Sequence, residues 1–314
     1  MTTADGFLQA GTFSHDALFY RGPGEYSKEV CSFVCEGVNA GEPVLVAVPG
    51  RRLELVRGAL GEAAGAVSFA DMAVLGRNPA RIIPAIRRFT DSRRPRRTRF
   101  VGEPVWLGRS AAEITEATRH EALINSALAV PPTTMLCPYD ASGLGTAVLN
   151  GARQTHPHVV EDGARRASAD YSGTAVARSI AAQPLPSPPA GARSTAFGEQ
   201  DLPSLREQVR RRAVQEGISS SRAQDLVAAV HEIAANTVVH AGGTGTLRIW
   251  RDGTALVCEI RDEGQIADPL AGRHPDSPHD DSGHGLRLAH ELSDLVEIRS
   301  GRQGTTVRLH MLIS

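Results

Sequence analysis

The sequence lacks any apolar run long enough to cross a membrane. Its first residues lack the basic stretch and apolar core of a secretory signal. The 34 basic and 35 acidic residues nearly cancel, so there is no broad charge of one sign to attract nucleic acid or a membrane surface. The four cysteines form no C-x-x-C pair. These absences predict a cytoplasmic protein with reduced thiols that makes no direct contact with nucleic acid or membrane.

The length of 314 residues and the hydrophobic content of 41% predict two domains, each with its own core. A stretch rich in proline, serine and alanine, residues 161–192, is predicted as a flexible linker because it offers too little to pack a core. The predicted domains are therefore residues 1–160 and 193–314.

The first domain alternates predicted strands and helices. Such an alternation predicts a mainly parallel sheet with helices on both faces, which is a three-layer α/β fold. Strands are predicted at residues 43–48, 66–69, 98–103 and 133–139, and helices at 25–38, 51–60, 79–90, 110–128 and 144–153.

The loop after the first apolar strand, Pro49 to Leu53, has no G-x-x-x-x-G-K-[ST] motif. This domain is therefore not expected to bind a nucleoside triphosphate through a phosphate loop. Three stretches, His15 to Tyr20, Cys137 to Asp140 and Thr155 to Pro157, resemble the sensory (MEDS) domain known from methanogens, methylotrophs and a dichloromethane-responsive repressor. The resemblance implies a RecA-like fold without the nucleotide loop, and a sensory role.

Two interpretations remain open for His15, Cys137 and His156. The three side chains could converge on a signal site, because imidazole and thiol groups ligate soft or borderline metals and react with oxidants. Alternatively, the histidines form hydrogen bonds with the backbone at strand ends and the cysteine fills core.

The second domain is organised around a helix with Glu232, Asn236 and His240 at intervals of four residues, which places them on one face. A carboxylate and a carboxamide one turn apart can divide two tasks, proton acceptance and ligation of a hard cation such as Mg²⁺. The other elements predicted in this domain are helices at 202–216 and 284–292 and strands at 246–251, 254–261, 295–299 and 305–312.

Three motifs follow this helix: Asp262-Glu263-Gly264 at a strand end, Gly283-His284-Gly285-Leu286 at a helix start, and Gly304-Thr305 at the start of the last strand. Alone, each could be a turn or a hairpin. Together they resemble the nucleotide-binding domain shared by gyrase, histidine kinases, heat-shock chaperones and mismatch-repair ATPases, and within it the anti-sigma-factor serine kinases. The resemblance implies a two-layer α/β sandwich that binds ATP and magnesium under a mobile lid, here residues 265–282.

The resemblance also implies a role for each of these residues. Asp262 would accept a hydrogen bond from the adenine amino group. Asn236 would ligate magnesium, and Glu232 would be the catalytic general base. Backbone amides of the glycine-rich motif would bind phosphates. The implied ATP-binding residues are Asn236, Asp262, Gly264, Gly283, His284, Gly285, Leu286 and Thr305.

The function implied is that of an anti-sigma regulatory factor, which binds a sigma factor and phosphorylates a serine or threonine of an antagonist protein. Control would come from the sensory domain. A non-catalytic, ATP-dependent binding switch and an atypical sensor histidine kinase remain alternatives. No helical pair with a phosphoacceptor histidine precedes the second domain, which favours the serine-kinase branch. The oligomeric state stays open, with a homodimer among the alternatives.

Overall fold

The computed structural model describes residues 13–128, 132–274 and 283–313. They divide into two compact units. Unit 1 takes the described residues up to Leu75, together with Ala85–Arg109 and Glu121–Thr174; unit 2 takes Gly76–Pro84, Ser110–His120 and the described residues from Ala175 onward. No helix among the described residues is long and apolar enough to cross a membrane.

Strands and helices alternate along the first half of the chain, as the sequence predicts. The strands are β1 (Ser14–Tyr20), β2 (Val44–Val48), β3 (Val67–Asp71), β4 (Thr98–Gly102), β5 (Thr133–Asp140), β6 (His158–Glu161) and β7 (Ala164–Ala167). The helices are α1 (Gly22–Asn39), α2 (Gly50–Leu60), α3 (Met72–Leu75), α4 (Ile82–Asp91), α5 (Ala111–Ala127) and α6 (Thr146–Thr155).

These strands form one seven-stranded sheet in the order β3-β2-β4-β5-β1-β6-β7. All neighbours are parallel except β6 and β7, which pair antiparallel. Every residue of β1 and β2 is buried, so both faces of the sheet are covered there. The mainly parallel, RecA-like sheet predicted for the N-terminal half is confirmed.

The end of β2, where a phosphate loop would stand in a nucleotide-binding relative of this fold, holds an ion pair instead. Arg52 of α2 pairs with the buried carboxylate of Glu103 and lies 3.8 Å from Asp140. The Arg52 guanidinium also lies 5.2 Å from the ring centre of Tyr20. The Arg52 guanidinium compensates part of the charge of these two carboxylates.

The segment predicted as an unpacked linker, residues 161–192, needs a correction. It contains β7, which pairs with β6, and helix α7 (Thr174–Ala182). Ala177 and Ile180 of α7 are buried. Their spacing of three residues places both side chains on the same face of the helix. The proline-rich part that follows has no regular structure as far as residue 192.

Unit 2 contains an antiparallel sheet with helices on one face. Its strands are β8 (Arg193–Phe197), β9 (Gly245–Asp252), β10 (Ala255–Asp262), β11 (Leu295–Gly301) and β12 (Gly304–Leu312), in the order β11-β12-β10-β9-β8. The helices are α8 (Leu202–Gln215), α9 (Ser220–His240) and α10 (His284–Leu292). Leu226, Val230 and Ile233 of α9 share one apolar core with Leu256 and Leu309 of the sheet. The two-layer sandwich predicted for the C-terminal half is confirmed.

The other sheet face of unit 2 carries paired charges. Glu259 lies 3.2 Å from Arg248 and 2.7 Å from Arg308, and Glu297 lies 2.9 Å from His310. The residues alternate with the apolar ones that face the helices, as a strand with one core face requires.

Two segments from the first half of the chain belong to unit 2 and pack around α10. The side chains of Asn78 and Arg81 donate to the carbonyl oxygen of His290 at 2.9 and 3.0 Å. They satisfy carbonyl groups that the end of a helix leaves without intrahelical partners. Burial of His290 lowers the pKa of its imidazole well below the usual range.

A single buried carboxylate in unit 2 faces three arginines. Glu116 of α5 accepts a hydrogen bond from Arg299 at 2.6 Å and lies 3.5 Å from Arg119 and 3.6 Å from Arg273. Arg273 is 2% exposed, and its burial lowers the pKa of the guanidinium to about 9. We refer to these four residues as the arginine cluster.

Candidate functional site

Unit 2 contains a cavity of about 740 Å³ between α9, α10, the ends of β10 and β12, and the segment after β10. All eight residues predicted to bind ATP line it. Its other lining residues are Ile233, Thr237, His240, Ala241, Gln265, Ile266, Ala267, Asp268, Ala271, Gly272, His274, Arg287 and Val307. The volume lies within the range of small-molecule sites, roughly 300–1,000 Å³.

Asp262 closes one end of the cavity as the last residue of β10. Its Oδ2 accepts a hydrogen bond from Thr237 Oγ1 at 2.7 Å, and its Oδ1 accepts one from the Gly264 amide at 2.9 Å. The carboxylate is therefore fixed in orientation, and each oxygen keeps acceptor capacity for a ligand amine.

Thr237 is a functional residue that the sequence reasoning missed. It is buried on α9, one residue beyond Asn236, and its hydroxyl is the side-chain donor that holds Asp262. The sequence carried no signal for this role, because a threonine in a helix can also bond the carbonyl oxygen four residues before it, here that of Ile233 at 3.1 Å.

Thr305 reinforces the same turn from the opposite strand. Its Oγ1 donates to the carbonyl oxygen of Gly264 at 2.8 Å, and it lies 2.8 Å from Ser300 Oγ. Ser300 in turn accepts from the amide of Ile266 at 2.8 Å. The hairpin between β11 and β12 thus holds the Asp262-to-Ile266 backbone in place.

Two glycines bring backbone close to this turn and to α9. Gly304 has φ +99°, and a Cβ there would lie 2.1 Å from the carbonyl oxygen of Asp262. A Cβ on Gly285 would lie 2.8 Å from Asn236 Nδ2 and 2.9 Å from Glu232 Oε2. Larger residues would therefore collide with the groups that form the site.

The start of α10 lies directly over Glu232 and Asn236. Gly283 is its N-cap with φ 95°, and the next three residues form the first turn. Amides in the first turn of a helix have no intrahelical acceptor and attract anions. A phosphate group bound there would lie next to the carboxamide of Asn236.

Glu232 is partly buried and is not among the residues that line the cavity, although it was predicted to be catalytic. Its carboxylate reaches the site beneath Gly285, one helical turn from Asn236. The arrangement can place a proton acceptor beside a phosphate that is bound at the α10 N-terminus.

The described part of the predicted lid is folded. Leu270 and Ala271 donate their amides to Asp268, at 2.9 Å to its side chain and 3.1 Å to its carbonyl oxygen. Gly272 has φ +72°, and a Cβ there would lie 2.8 Å from Leu286 Cβ. Residues 275–282 of the predicted lid lie outside the described residues.

The predicted sensory residues His15, Cys137 and His156 come together in the core of unit 1. The structure adds Glu121 of α5, which the sequence reasoning missed. The four side chains are 0–1% exposed. In the sequence, Glu121 could be noticed only as a carboxylate in a predicted amphipathic helix, four residues before Asn125.

The donor set of the unit 2 cavity fits a magnesium nucleotide. A fixed carboxylate, Asp262, suits an exocyclic amine, and the helix start suits phosphates. The side-chain oxygen of Asn236 is a ligand type that Mg²⁺ accepts. The glycines keep side-chain atoms out of the space between these groups.

Comparisons with known proteins match two separate parts of the chain. Residues 14–157 match the family model described as the MEDS (methanogen/methylotroph, DcmR sensory) domain. Residues 197–311 match the family model of the histidine kinase-like ATPase domain. The comparison with curated proteins found no match.

Two solved structures are similar to part of the chain. The RsbU and RsbW domains of Rv1364c from Mycobacterium tuberculosis are 19% identical, with a TM-score of 0.29, over 38% of this chain and 32% of that one. The histidine kinase AdeS of Acinetobacter baumannii is 11% identical, with a TM-score of 0.23, over 39% of this chain and 68% of that one. This chain thus spans about a third of the first structure. Scores this low add nothing to what the two family matches show.

Proposed function

The chain joins a MEDS sensory domain to a histidine kinase-like ATPase domain, and we propose from this that it is an ATP-dependent anti-sigma kinase. It would hold a sigma factor and phosphorylate a serine or threonine of an antagonist protein. The observation that carries the proposal is the unit 2 cavity, which gathers all eight predicted ATP-binding residues with Glu232 beneath its rim.

The residues of the cavity would divide binding into three contacts. Asp262, fixed by Thr237 and Gly264, would accept from the adenine amine. Asn236 would ligate Mg²⁺, which would neutralise charge on the phosphates. The first-turn amides of α10 would hold the terminal phosphates against α9.

Glu232 would supply the chemistry that separates a kinase from a binding protein. Its carboxylate would accept the proton of a substrate hydroxyl as that oxygen bonds to the terminal phosphorus of ATP. The bond from this phosphorus to the β,γ-bridging oxygen would break, and ADP would leave. Its place beneath Gly285 puts the acceptor next to the amides that would hold that phosphate. Positioning of this kind supplies most of the catalysis in phosphoryl transfer.

Control by the sensory domain is supported by the course of α5. The residues of this helix up to His120 belong to unit 2, and those from Glu121 onward belong to unit 1. Glu116 on the first part contacts Arg273, next to the cavity residue Gly272. We propose that a signal in unit 1 reaches unit 2 along this helix, because its residues belong to both units.

The cellular setting proposed is the cytoplasm, where the antagonist and sigma factor would be met. All four cysteines are free, and Cys137 and Cys258 are buried as thiols, which suits a reducing compartment.

The test is phosphoryl transfer from radiolabelled Mg-ATP to candidate antagonist proteins of the same organism. We expect label on a serine or threonine with the wild type, and at least a 100-fold slower transfer with Glu232→Gln, because a positioned base contributes about 10²–10⁴-fold. Equal ATP binding by both proteins, measured in parallel, would confine the defect to chemistry.

Two results would contradict the kinase. Binding of Mg-ATP without transfer to any antagonist, and without a difference between wild type and Glu232→Gln, would identify a non-catalytic switch. Acid-labile label on a histidine would identify a histidine kinase instead.

A further inference from the structure

We propose that unit 1 binds a divalent transition-metal ion, with Zn²⁺ the best fit, through His15, Glu121, Cys137 and His156. We refer to these four residues as the unit 1 cluster. The inference rests on unit 1 alone and is independent of the proposed kinase activity.

The fold of unit 1 brings the four side chains to one point. His15 on β1 precedes by two residues Ala17, which lies opposite Cys137 on the neighbouring parallel strand. A two-residue step returns to the same face of a sheet, so the imidazole and the thiol share a face. Glu121 comes from α5, and His156 is the C-cap of α6.

The distances between the ligand atoms suit a tetrahedral metal. One atom from each residue lies within 4.8 Å of the other three. Cys137 Sγ is 3.3 Å from His15 Nε2 and 3.7 Å from Glu121 Oε2, and His156 Nε2 is 3.3 Å from Glu121 Oε2. Bonds of about 2.0–2.3 Å to a tetrahedral zinc place its ligand atoms about 3.3–3.6 Å apart. The 2.8 Å contact of His15 with Glu121 would have to lengthen slightly.

The surroundings fix which nitrogen of each imidazole faces the cluster. Asn125 donates its amide to the carbonyl oxygens of Glu121 at 3.1 Å and Thr155 at 2.8 Å, so its oxygen points at His15 Nδ1, 3.0 Å away. His156 Nδ1 lies 2.8 Å from the carbonyl oxygen of Ala152. Each Nδ1 is therefore an N–H donor, and in the neutral imidazole each Nε2 then has a lone pair directed at the cluster.

The unit 1 cluster contains more hydrogen-bond acceptors than donors. Two Nε2 lone pairs and the Glu121 carboxylate meet at one buried point, and the thiol of Cys137 is the remaining donor. Among the atoms that the structure describes, His156 Nε2 has no hydrogen-bond partner. Burying such groups without a partner costs roughly 1–3 kcal/mol each. A shared cation satisfies all four at once.

The chemistry of the ligands selects the metal. Two imidazoles, one thiolate and one carboxylate are the N, S and O donors that Zn²⁺ takes in four-coordinate sites. Mg²⁺ and Ca²⁺ prefer all-oxygen sites and are disfavoured by the thiolate. Binding would release the thiol proton of Cys137, so affinity would rise with pH.

The experiment uses the full chain, purified without added metal, stripped with a chelator and titrated with Co²⁺. We expect one metal per chain, tetrahedral d–d bands in the visible region, and a sulfur-to-cobalt charge-transfer band in the near ultraviolet. Excess Zn²⁺ should displace the cobalt and remove these bands.

The variants test the assignment of ligands. Cys137→Ser should abolish the charge-transfer band, whereas Cys258→Ser, a buried cysteine in unit 2, should leave it unchanged. Asn125→Ala removes the hydrogen bond to His15 together with the bonds that the Asn125 amide donates to the carbonyl oxygens of Glu121 and Thr155. It keeps all four ligands and should weaken cobalt binding about 10–100-fold. Circular dichroism of each variant checks that it is folded.

Three outcomes would overturn the proposal. The first is a folded wild-type protein that shows neither metal content nor cobalt bands. The second is a charge-transfer band that survives in Cys137→Ser. The third is an octahedral spectrum without sulfur ligation, which would mean a proton-linked cluster with adventitious cobalt on the surface. The first outcome depends only on the wild-type protein, so the proposal can be tested even if a variant misfolds.

Discussion

The cavity of unit 2 and the unit 1 cluster are built from different parts of the chain. The cavity is open, and much of its wall is formed by backbone. Glycines at 264, 272, 283, 285 and 304 bring this backbone close to neighbouring groups or leave its amides accessible. The cluster is closed and uses side chains from four separate elements. A site made from backbone leaves contiguous glycine motifs in the sequence, whereas a site made from side chains leaves scattered polar residues whose meeting only the fold reveals.

Two variants in helix α5 can show whether the two regions have separate roles. Glu116→Gln would leave Arg119, Arg273 and Arg299 without their carboxylate, and we expect unit 2 to lose about 3–5 kcal/mol of stability. Thermal or urea unfolding measures the loss. Glu207→Gln, an exposed carboxylate in unit 2, is the control and should change little.

Glu121→Gln completes that comparison five residues further along α5. It should abolish high-affinity metal binding by the unit 1 cluster and leave ATP affinity of the metal-free protein unchanged. If Glu116→Gln removed metal binding, or Glu121→Gln removed ATP binding from metal-free protein, the two sites would not be built from separate sets of residues.

Gly304→Ala tests whether the cavity depends on backbone. A residue with a side chain at φ +99° pays about 1–2 kcal/mol, and its Cβ would also press on the carbonyl oxygen of Asp262. We expect ATP binding to fall below detection in calorimetry. Gly301→Ala, at the other end of the same turn with open space around it, should bind ATP normally.

Thr237→Val tests the one side-chain donor that sequence reasoning missed. The variant keeps the shape of threonine but removes the hydrogen bond to Asp262. We expect ATP affinity to fall about 3- to 10-fold, the equivalent of one ordinary hydrogen bond. Thr237→Ser should restore most of the affinity, whereas equal weakening by valine and serine would argue against the hydroxyl.

Cys258 gives an effect that is confined to the alkaline range. Burial raises the pKa of its thiol from 9.0 to about 12, so the folded protein holds a proton that the unfolded chain releases. The free energy of unfolding should therefore fall between about pH 9 and pH 12, by roughly 1 kcal/mol at pH 10. Cys258→Val should remove this part of the pH dependence, measured by urea unfolding at pH 8 and pH 10. An unchanged dependence in the variant would show that other groups cause it.

Most helices and strands could be predicted from the sequence because their hydrophobic periodicity is strong. The prediction for the β9–β10 hairpin agrees with the structure within one residue at each strand end. Strand β1 was not predicted as a strand because His15 and Asp16 interrupt its apolar run. Those polar residues are tolerated because they have partners: Asp16 pairs with Arg165 at 2.5 Å and His15 joins the unit 1 cluster.

The two sites could be predicted to different depths. The unit 2 residues follow motifs with fixed spacing, so eight positions could be named and all eight line the cavity. The unit 1 residues form no motif of fixed spacing in the sequence. They meet only because of the strand order and the rotation of α5. The role of Glu121 could therefore be recognised only from the structure, in which α5 lies beside β1 and β5.

The most direct test of the central claim is calorimetric titration of Mg-ATP into the wild type and into Asp262→Asn. We expect micromolar-range binding by the wild type and a loss of at least about 10-fold in the variant, because an amide in place of the carboxylate weakens the acceptor for the adenine amine. No binding by a folded wild type, or equal binding by both proteins, would contradict the claim that the unit 2 cavity is an adenine nucleotide site.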